Sequence, residues 1–338
     1  MMPPISFEHL SRLCDDRGLY EHAKLTVRRE EHGYCTDDNA RLLVVATREA
    51  SVGASRPEVD RLAGIALAFV LDAQTSDGRS HNRMSRSGQW TDAPTTDDCW
   101  GRSLWGLGVA ASQGSTAAIR ERALVGFETG ARRRSTWARA MSFAALGAAE
   151  VAARHEGHPD ALGLLADTVE VIGPLTVGSW SWPEPRLRYA NAVLAEAVIA
   201  AGAALGRDDH VERGLIMLRW LLALETGSGH VSVTGVDGRG PHDARLQFDQ
   251  QPIEVAALAD ACWRAQNVSA DRDWPTGVDL AAAWFDGHND TQVVMYDPSS
   301  GGGFDGLQAS GVNLNQGAES TMAYISTRQR ARSLAISA

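Results

Sequence analysis

Thr36-Asp37-Asp38-Asn39-Ala40-Arg41 and Thr96-Asp97-Asp98-Cys99-Trp100-Gly101-Arg102 place the same groups in the same order at the head of two helical stretches: a threonine, two adjacent aspartates and an arginine one turn later. Looser versions follow at Thr136-Trp137-Ala138-Arg139, Arg188-Tyr189-Ala190-Asn191, Asp249-Gln250-Gln251-Pro252-Ile253-Glu254 and Asn315-Gln316-Gly317-Ala318-Glu319-Ser320. The recurrence, every roughly 40 to 65 residues, is the mark of a solenoid or a closed toroid. Small residues fill the helices that follow, as in Ala138 to Ala153 and Ala190 to Ala204, which suits helices crowded into an inner ring.

Between these heads, helical spacing predicts twelve helices, at 5–14, 36–50, 56–74, 97–112, 115–130, 136–154, 158–172, 187–205, 208–225, 250–266, 276–287 and 317–328. Connections alternate in length. Short links follow the helices starting near 36, 97, 136 and 187, and long ones rich in Gly, Trp, Asp and His precede those near 97, 187, 250 and 317. Long loops in compact proteins tend to be functional. All of them enter the same class of helix, so they gather at one end. Gly78 to Trp90 and His230 to Gly238 read as small hairpins there, and Ser299 to Gly306 as a flexible rim loop. The expected fold is therefore all-α, an (α/α)6 barrel occupying residues 1–338 as one domain, with small β-hairpins in the long loops.

Composition narrows the function. The 338 residues are 44% hydrophobic and 22% charged, which excludes a disordered chain. A formal charge of -10 gives no broad reason to bind nucleic acid or an anionic membrane and points to neutral or cationic partners. Cys14, Cys35, Cys99 and Cys262 lie far apart, and the chain opens without the order of a secretory leader, so a cytoplasmic location is expected. No phosphate-loop, zincin or serine-hydrolase motif occurs, and the ten histidines lack metal-ligand spacing, so neither metal nor cofactor is expected. An Asp-rich metal site for diphosphate, as a terpene-cyclase-like toroid would need, is also missing from the sequence.

A toroid would bring carboxylates from separate repeats to one funnel. Asp and Asn favour helix starts simply as caps. Capping needs one residue, however, so in Asp37-Asp38 and Asp97-Asp98 one can cap while the other faces the cavity. Arg41, four residues after Asp37, and Arg102, four after Asp98, can each hold a carboxylate ionised. Gly178 to Tyr189 contributes Trp180, Trp182, Glu184 and Arg188. Beside the tryptophans, Glu184 would be desolvated and its pKa raised, as a general acid requires. Trp90, Trp100, Trp180 and Trp182, in or beside long loops, are the candidates for stacking on a ligand.

The runs Gly33 to Arg41, Asp98 to Gly108, Tyr189 to Ala192, Phe248 to Glu254 and Gln316 to Thr321 resemble a bacterial family of six-hairpin glycosidase-like (α/α)6 domains, some joined to glycosyltransferase modules. The resemblance spans nearly the whole chain and implies a carbohydrate-active toroid. The adjacent aspartates are also similar to those of helical-barrel endo-mannanases, in which neighbouring aspartates share the catalysis. Trp100 stands where that family more often has His, and Ala190 where it has Asp.

Hydrolysis of a glycosidic bond needs one protonated carboxyl and one ionised carboxylate. Glu184 is the expected acid, with Asp38 or Asp98 as its ionised partner. Asp37, Arg41, Asp97, Trp100, Arg102, Trp180, Trp182, Arg188, Tyr189, Asn191, Asp249, Gln250, Gln251, Glu254, Gln316 and Glu319 would bind the oligosaccharide or glycoconjugate. The competing readings are a sugar epimerase or isomerase using loop histidines, and a glycan-binding toroid without catalysis.

Overall fold

A computed structural model of the chain describes residues 5–52, 56–176, 178–226, 229–244 and 246–337. Met1 to Pro4, on which the reading of the chain's start partly rests, lies outside them. Among the described residues twelve α-helices run α1 (Glu8–Leu13), α2 (Thr36–Ser51), α3 (Pro57–Ala73), α4 (Asp98–Gln113), α5 (Ala117–Ala131), α6 (Ala138–Arg154), α7 (Pro159–Ile172), α8 (Ala192–Leu205), α9 (Asp208–Thr226), α10 (Pro252–Gln266), α11 (Asp273–Phe285) and α12 (Ala318–Ser337). The even-numbered helices form a ring in which each packs on the next and α12 returns to α2; α3, α5, α7, α9 and α11 pack outside their partners, and α1 against α12. The fold is an (α/α)6 toroid.

Burial follows from the two layers. In α8 every residue from Ala192 to Gly202 is buried, as a helix enclosed on all sides must be, whereas α3 buries only the stripe Val59, Leu62, Ala66, Leu67, Phe69, Val70 and Ala73. Small residues set the ring's tightness. A Cβ on Gly108 would lie 2.2 Å from the carbonyl oxygen of Gly147, and one on Gly147 2.0 Å from that of Leu104, so α4 and α6 touch backbone to backbone. Below the funnel, Trp105, Phe143, Leu146 and Met322 surround a hollow of only about 40 Å³. Beneath them Asp260 takes Arg48 at 3.0 Å and also Arg330, while Arg264 meets Glu196 at 2.9 Å. This plug leaves the barrel open at one end.

Strands are confined to short antiparallel pairs: β1 (Ala23–Lys24) with β2 (Val27–Arg28), β3 (Tyr34–Cys35) with β4 (Arg83–Met84), and β5 (Gly306–Gln308) with β6 (Gly311–Asn313). Of the three loop expectations the first holds and the other two need correction. Residues 78–90 do fold back on themselves, with Met84 bridging to Trp90, but β4's strand partner is β3. Residues 230–238 form no hairpin; Val236 N–H bonds to the Asp249 carbonyl, and Arg239 bridges to Leu187. The glycine run is packed rather than loose, with Gly302 and Gly303 buried and the Gly303 N–H donated to Thr321 Oγ1 at 3.2 Å. Among the described residues no helix is long and apolar enough to cross a membrane.

Candidate active site

The open end holds a cavity of about 830 Å³ to which the start of every inner helix contributes: Asp37 and Asp38 from α2, Asp98 from α4, Trp137 before α6, Tyr189 before α8, Gln251 before α10 and Glu319 from α12. Six helix N-termini turned to one space make a positive field that favours carboxylates there. The aspartates do not cap their own helices. The N-caps of α2 and α4 are Cys35 and Asp97, neither with a side-chain cap bond. Loop residues serve α2 instead: Thr36 N–H donates to the Asn82 carbonyl at 2.9 Å, Thr36 Oγ1 to the His81 carbonyl at 2.7 Å, and Asp37 N–H to Asn82 Oδ1 at 3.3 Å. Both members of each aspartate pair are thereby released to the cavity, rather than one of the two.

The four ion-paired carboxylates of this wall share two guanidiniums. Arg102 donates through Nη1 to Asp37 Oδ1 at 2.8 Å and lies 3.4 Å from Asp98 Oδ2. Arg41 reaches Asp38 Oδ1 and Glu319 Oε2, each at 2.7 Å. The pairing expected of Arg41 with Asp37 is thus taken over by Arg102 from the neighbouring helix. Burial opposes charge on Asp37, but Arg102 and Arg41 outweigh it and hold that carboxyl below its usual value. Asp38 goes the other way. Complete burial pushes it up to about 7 despite Arg41, with Glu319 and Glu21 adding to the rise. Cys35 Sγ donates to Asp38 Oδ2 at 3.2 Å. Asp98 Oδ2 accepts from the Tyr189 phenol at 2.8 Å.

The second wall, from the head of α10 to the loop packed on α12, comprises Val236, Asp249, Gln251, Asp305, Gly306 and Asn313. Asp305 Oδ1 accepts from Gly317 N–H at 2.7 Å and Ser320 Oγ at 2.6 Å, and Asp249 Oδ2 from Gln308 Nε2 at 3.3 Å. At the rim Trp137 is 62% exposed, and Glu21, beside His22, pairs with Arg83. Donor atoms of Glu21, Cys35 and Asp38 lie within 4.8 Å of one another, a spacing a metal ion could use. The buried Cys35 thiol is held well above its usual pKa, chiefly by burial, which keeps it protonated and a poor ligand.

Asp37, Asp38, Arg41, Asp97, Asp98, Arg102, Tyr189, Asp249, Gln251 and Glu319 line the cavity as the sequence suggests. The other candidates do not. Glu184 lies outside the lining, clamped by Arg139 through two hydrogen bonds of 2.7 and 2.9 Å rather than placed to give a proton to a ligand in the cavity. Trp100 and Trp182 are fully buried. Trp180 packs edge-on against Trp220 and Trp90 stacks on His81, and none of the four loop tryptophans lines the cavity. Arg188 is exposed away from the cavity, while Asn191 and Glu254 are buried beneath Tyr189. Gln250 is spent on Asp290 at 2.6 Å, and Gln316 accepts from Ser300 Oγ at 2.5 Å. Conversely, Glu21, His22, Cys35, Trp137, Asp305 and Asn313 line the cavity unanticipated. Trp137 stood within the repeat itself, whereas Asp305 was hidden in the glycine run.

No protein-family model matches the chain, and no curated protein matches it in sequence. Among solved structures it is similar to a sugar epimerase from a ruminal bacterium, at TM-score 0.71 and 12% identity over 97% of this chain and 95% of that one. Cellobiose 2-epimerase from Bacillus thermoamylovorans gives 0.70 and 9%, over 97% and 95%. A glycoside hydrolase family 76 α-mannanase from Bacteroides thetaiotaomicron gives 0.59 and 11%, over 90% and 88%. At such identities the likeness establishes the fold, and the chain is a six-hairpin (α/α)6 toroid.

Proposed function

We propose that the protein is a glycoside hydrolase acting on a neutral or cationic oligosaccharide or glycoconjugate. The observation that carries this is Asp38: a cavity carboxyl that burial pushes up to about 7 even though Arg41 pairs with it, in the same wall as Asp37, which Arg102 and Arg41 hold below its usual value. One protonated and one ionised carboxyl is the pairing glycoside hydrolysis uses. On this reading Asp38 gives its proton to the leaving oxygen as the glycosidic bond breaks. Asp98 is the ionised partner. It either takes a proton from the attacking water or bonds to the anomeric carbon, from which water later displaces it. Its carboxylate is steadied by Tyr189 and Arg102. Trp137 supplies the exposed aromatic face that a sugar ring can stack on.

Eight carboxylates line the cavity (Glu21, Asp37, Asp38, Asp97, Asp98, Asp249, Asp305 and Glu319) against Arg41 and Arg102, a charge that disfavours uronate, sulfated or phosphorylated sugars. A second reading, sugar epimerisation, is favoured by His22 in the cavity lining and by the epimerases among the similar structures. One experiment separates them. Wild type, Asp38→Asn, Asp98→Asn and His22→Ala are incubated with manno-, cello- and glucosamine oligosaccharides in D2O, following new reducing ends and deuterium at sugar carbons by NMR. Hydrolysis predicts new reducing ends that fall by about 10²-fold or more in either Asp variant. Deuterium incorporation without chain cleavage, abolished in His22→Ala, would replace hydrolysis by epimerisation.

A further inference from the structure

We infer that Glu254 is a positioning residue for Asp98, acting through the turn at Ala190 and the phenol of Tyr189. The inference rests on the reading of Asp98 as the ionised partner in catalysis. Ala190 is fully buried with φ +45°, a left-handed conformation in which its Cβ is strained, and Asn191 follows in right-handed helical geometry. Successive N–H groups in such a turn form a concave nest for an anion. The Glu254 carboxyl fills it. Reaching across from the first turn of α10, its Oε1 accepts from Ala190 N–H, and its Oε2 accepts from Asn191 N–H and Asn191 Nδ2, both at 3.2 Å.

The residue before the nest is Tyr189, so its direction is set by the turn. Arg139 stabilises the same arrangement from the other side. Its Nε donates to the Tyr189 carbonyl, its guanidinium lies 4.8 Å from the centre of the Tyr189 ring, and its Nη2 donates to Asn191 Oδ1 at 3.2 Å. Glu184 holds Arg139 in turn. Glu184, Asn191 and Glu254, three polar groups outside the cavity lining, therefore act together to aim the phenol at Asp98 Oδ2, 2.8 Å away. A phenol donating there fixes the direction of the Asp98 carboxylate.

The test has a substrate-free arm and a kinetic arm. Burial and the Asp98 charge hold the Tyr189 phenol above the ordinary tyrosine range. In an alkaline titration followed at 295 nm, Glu254→Gln is expected to move one tyrosine of the five to lower pH, and the shift is expected to vanish in a Tyr189→Phe background. Titration curves for Glu254→Gln and wild type that superimpose would overturn the inference. In the kinetic arm, Glu254→Gln and Tyr189→Phe are each expected to lower kcat about tenfold with little change in KM, and the double variant to be no worse than either. Multiplying effects would overturn it. Glu254→Asp retains the buried charge and is expected to give a partial shift should the Gln variant not fold. If wild type cleaves no oligosaccharide, hydrolysis fails as the function, while the titration still decides whether Glu254 sets Tyr189.

Discussion

The two walls of the cavity are built on opposite electrostatic plans. At the heads of α2, α4 and α12, the carboxylates of Asp37, Asp38, Asp98 and Glu319 are tied to Arg41 and Arg102, both nearly buried. On the second wall, which runs from the head of α10 to the loop packed on α12, Asp249 and Asp305 accept hydrogen bonds from neutral donors, and among the described residues neither forms an ion pair with Arg or Lys. A guanidinium in a desolvated place favours charge on its carboxyl; for Asp37 it outweighs burial, whereas for Asp38 burial wins. The first plan suits chemistry, the second recognition.

Disrupting the first wall has the largest expected effect. Arg102→Leu strands Asp37 and Asp98 without their cation and is expected to cost about 3–5 kcal/mol in urea unfolding, because an uncompensated buried charge remains. Asp249→Asn, on the open wall, is expected to stay within about 0.5 kcal/mol of wild type. Equal losses would erase the distinction between the walls.

Proton linkage comes next. Asp38, Glu225 and Glu254 are each pushed up to about 7, first of all by burial. Their folded pKa values exceed the unfolded ones, so the native state binds more protons. Stability is therefore expected to fall as pH rises from about 4 to about 7 and to level off above. Asp38→Asn removes one of these groups and is expected to flatten the slope by up to about 1.4 kcal/mol per pH unit, measured by denaturant titration across that window. An unchanged slope would show that Asp38 is ionised throughout.

Smaller effects probe the second wall. Asp249→Asn with Asp305→Asn is expected to narrow the preference for glucosamine oligomers over uronate oligomers by about tenfold in kcat/KM at low salt, and the wild-type preference itself should shrink as salt rises. Trp137→Ala is expected to raise KM about threefold to tenfold with kcat intact, the scale of one stacking contact. A fall in kcat alone would remove Trp137 from substrate binding.

How far the sequence discloses this arrangement depends on whether a feature is local. Inner helices announce themselves because their polar heads and small-residue bodies recur, and ten cavity residues follow from that recurrence alone. Arg188 to Asn191 reads as helix, since nothing in those side chains forbids it. The helix instead begins at Ala192, because Glu254, remote in sequence, holds Ala190 in a turn. Glu184 looks like a desolvated acid beside two tryptophans until Arg139 arrives from α6. Trp100 lies near a long loop in sequence, yet its indole points outward to the Gly130 carbonyl at 3.1 Å. Which face a side chain takes is settled by partners that spacing does not reveal. Asp305 heads no helix and enters the cavity only because the glycine run packs onto α12.

The proposed chemistry stands on Asp38 keeping its proton up to near-neutral pH beside a carboxylate held ionised by arginine, and its ionisation can be followed without a substrate. Infrared difference spectra between wild type and Asp38→Asn, recorded from pH 5 to 9, are predicted to show a carboxylic C=O band at pH 5 that gives way to carboxylate with a midpoint near 7. A carboxylate signature already complete at pH 5 would leave the cavity without its acid and refute the proposed roles.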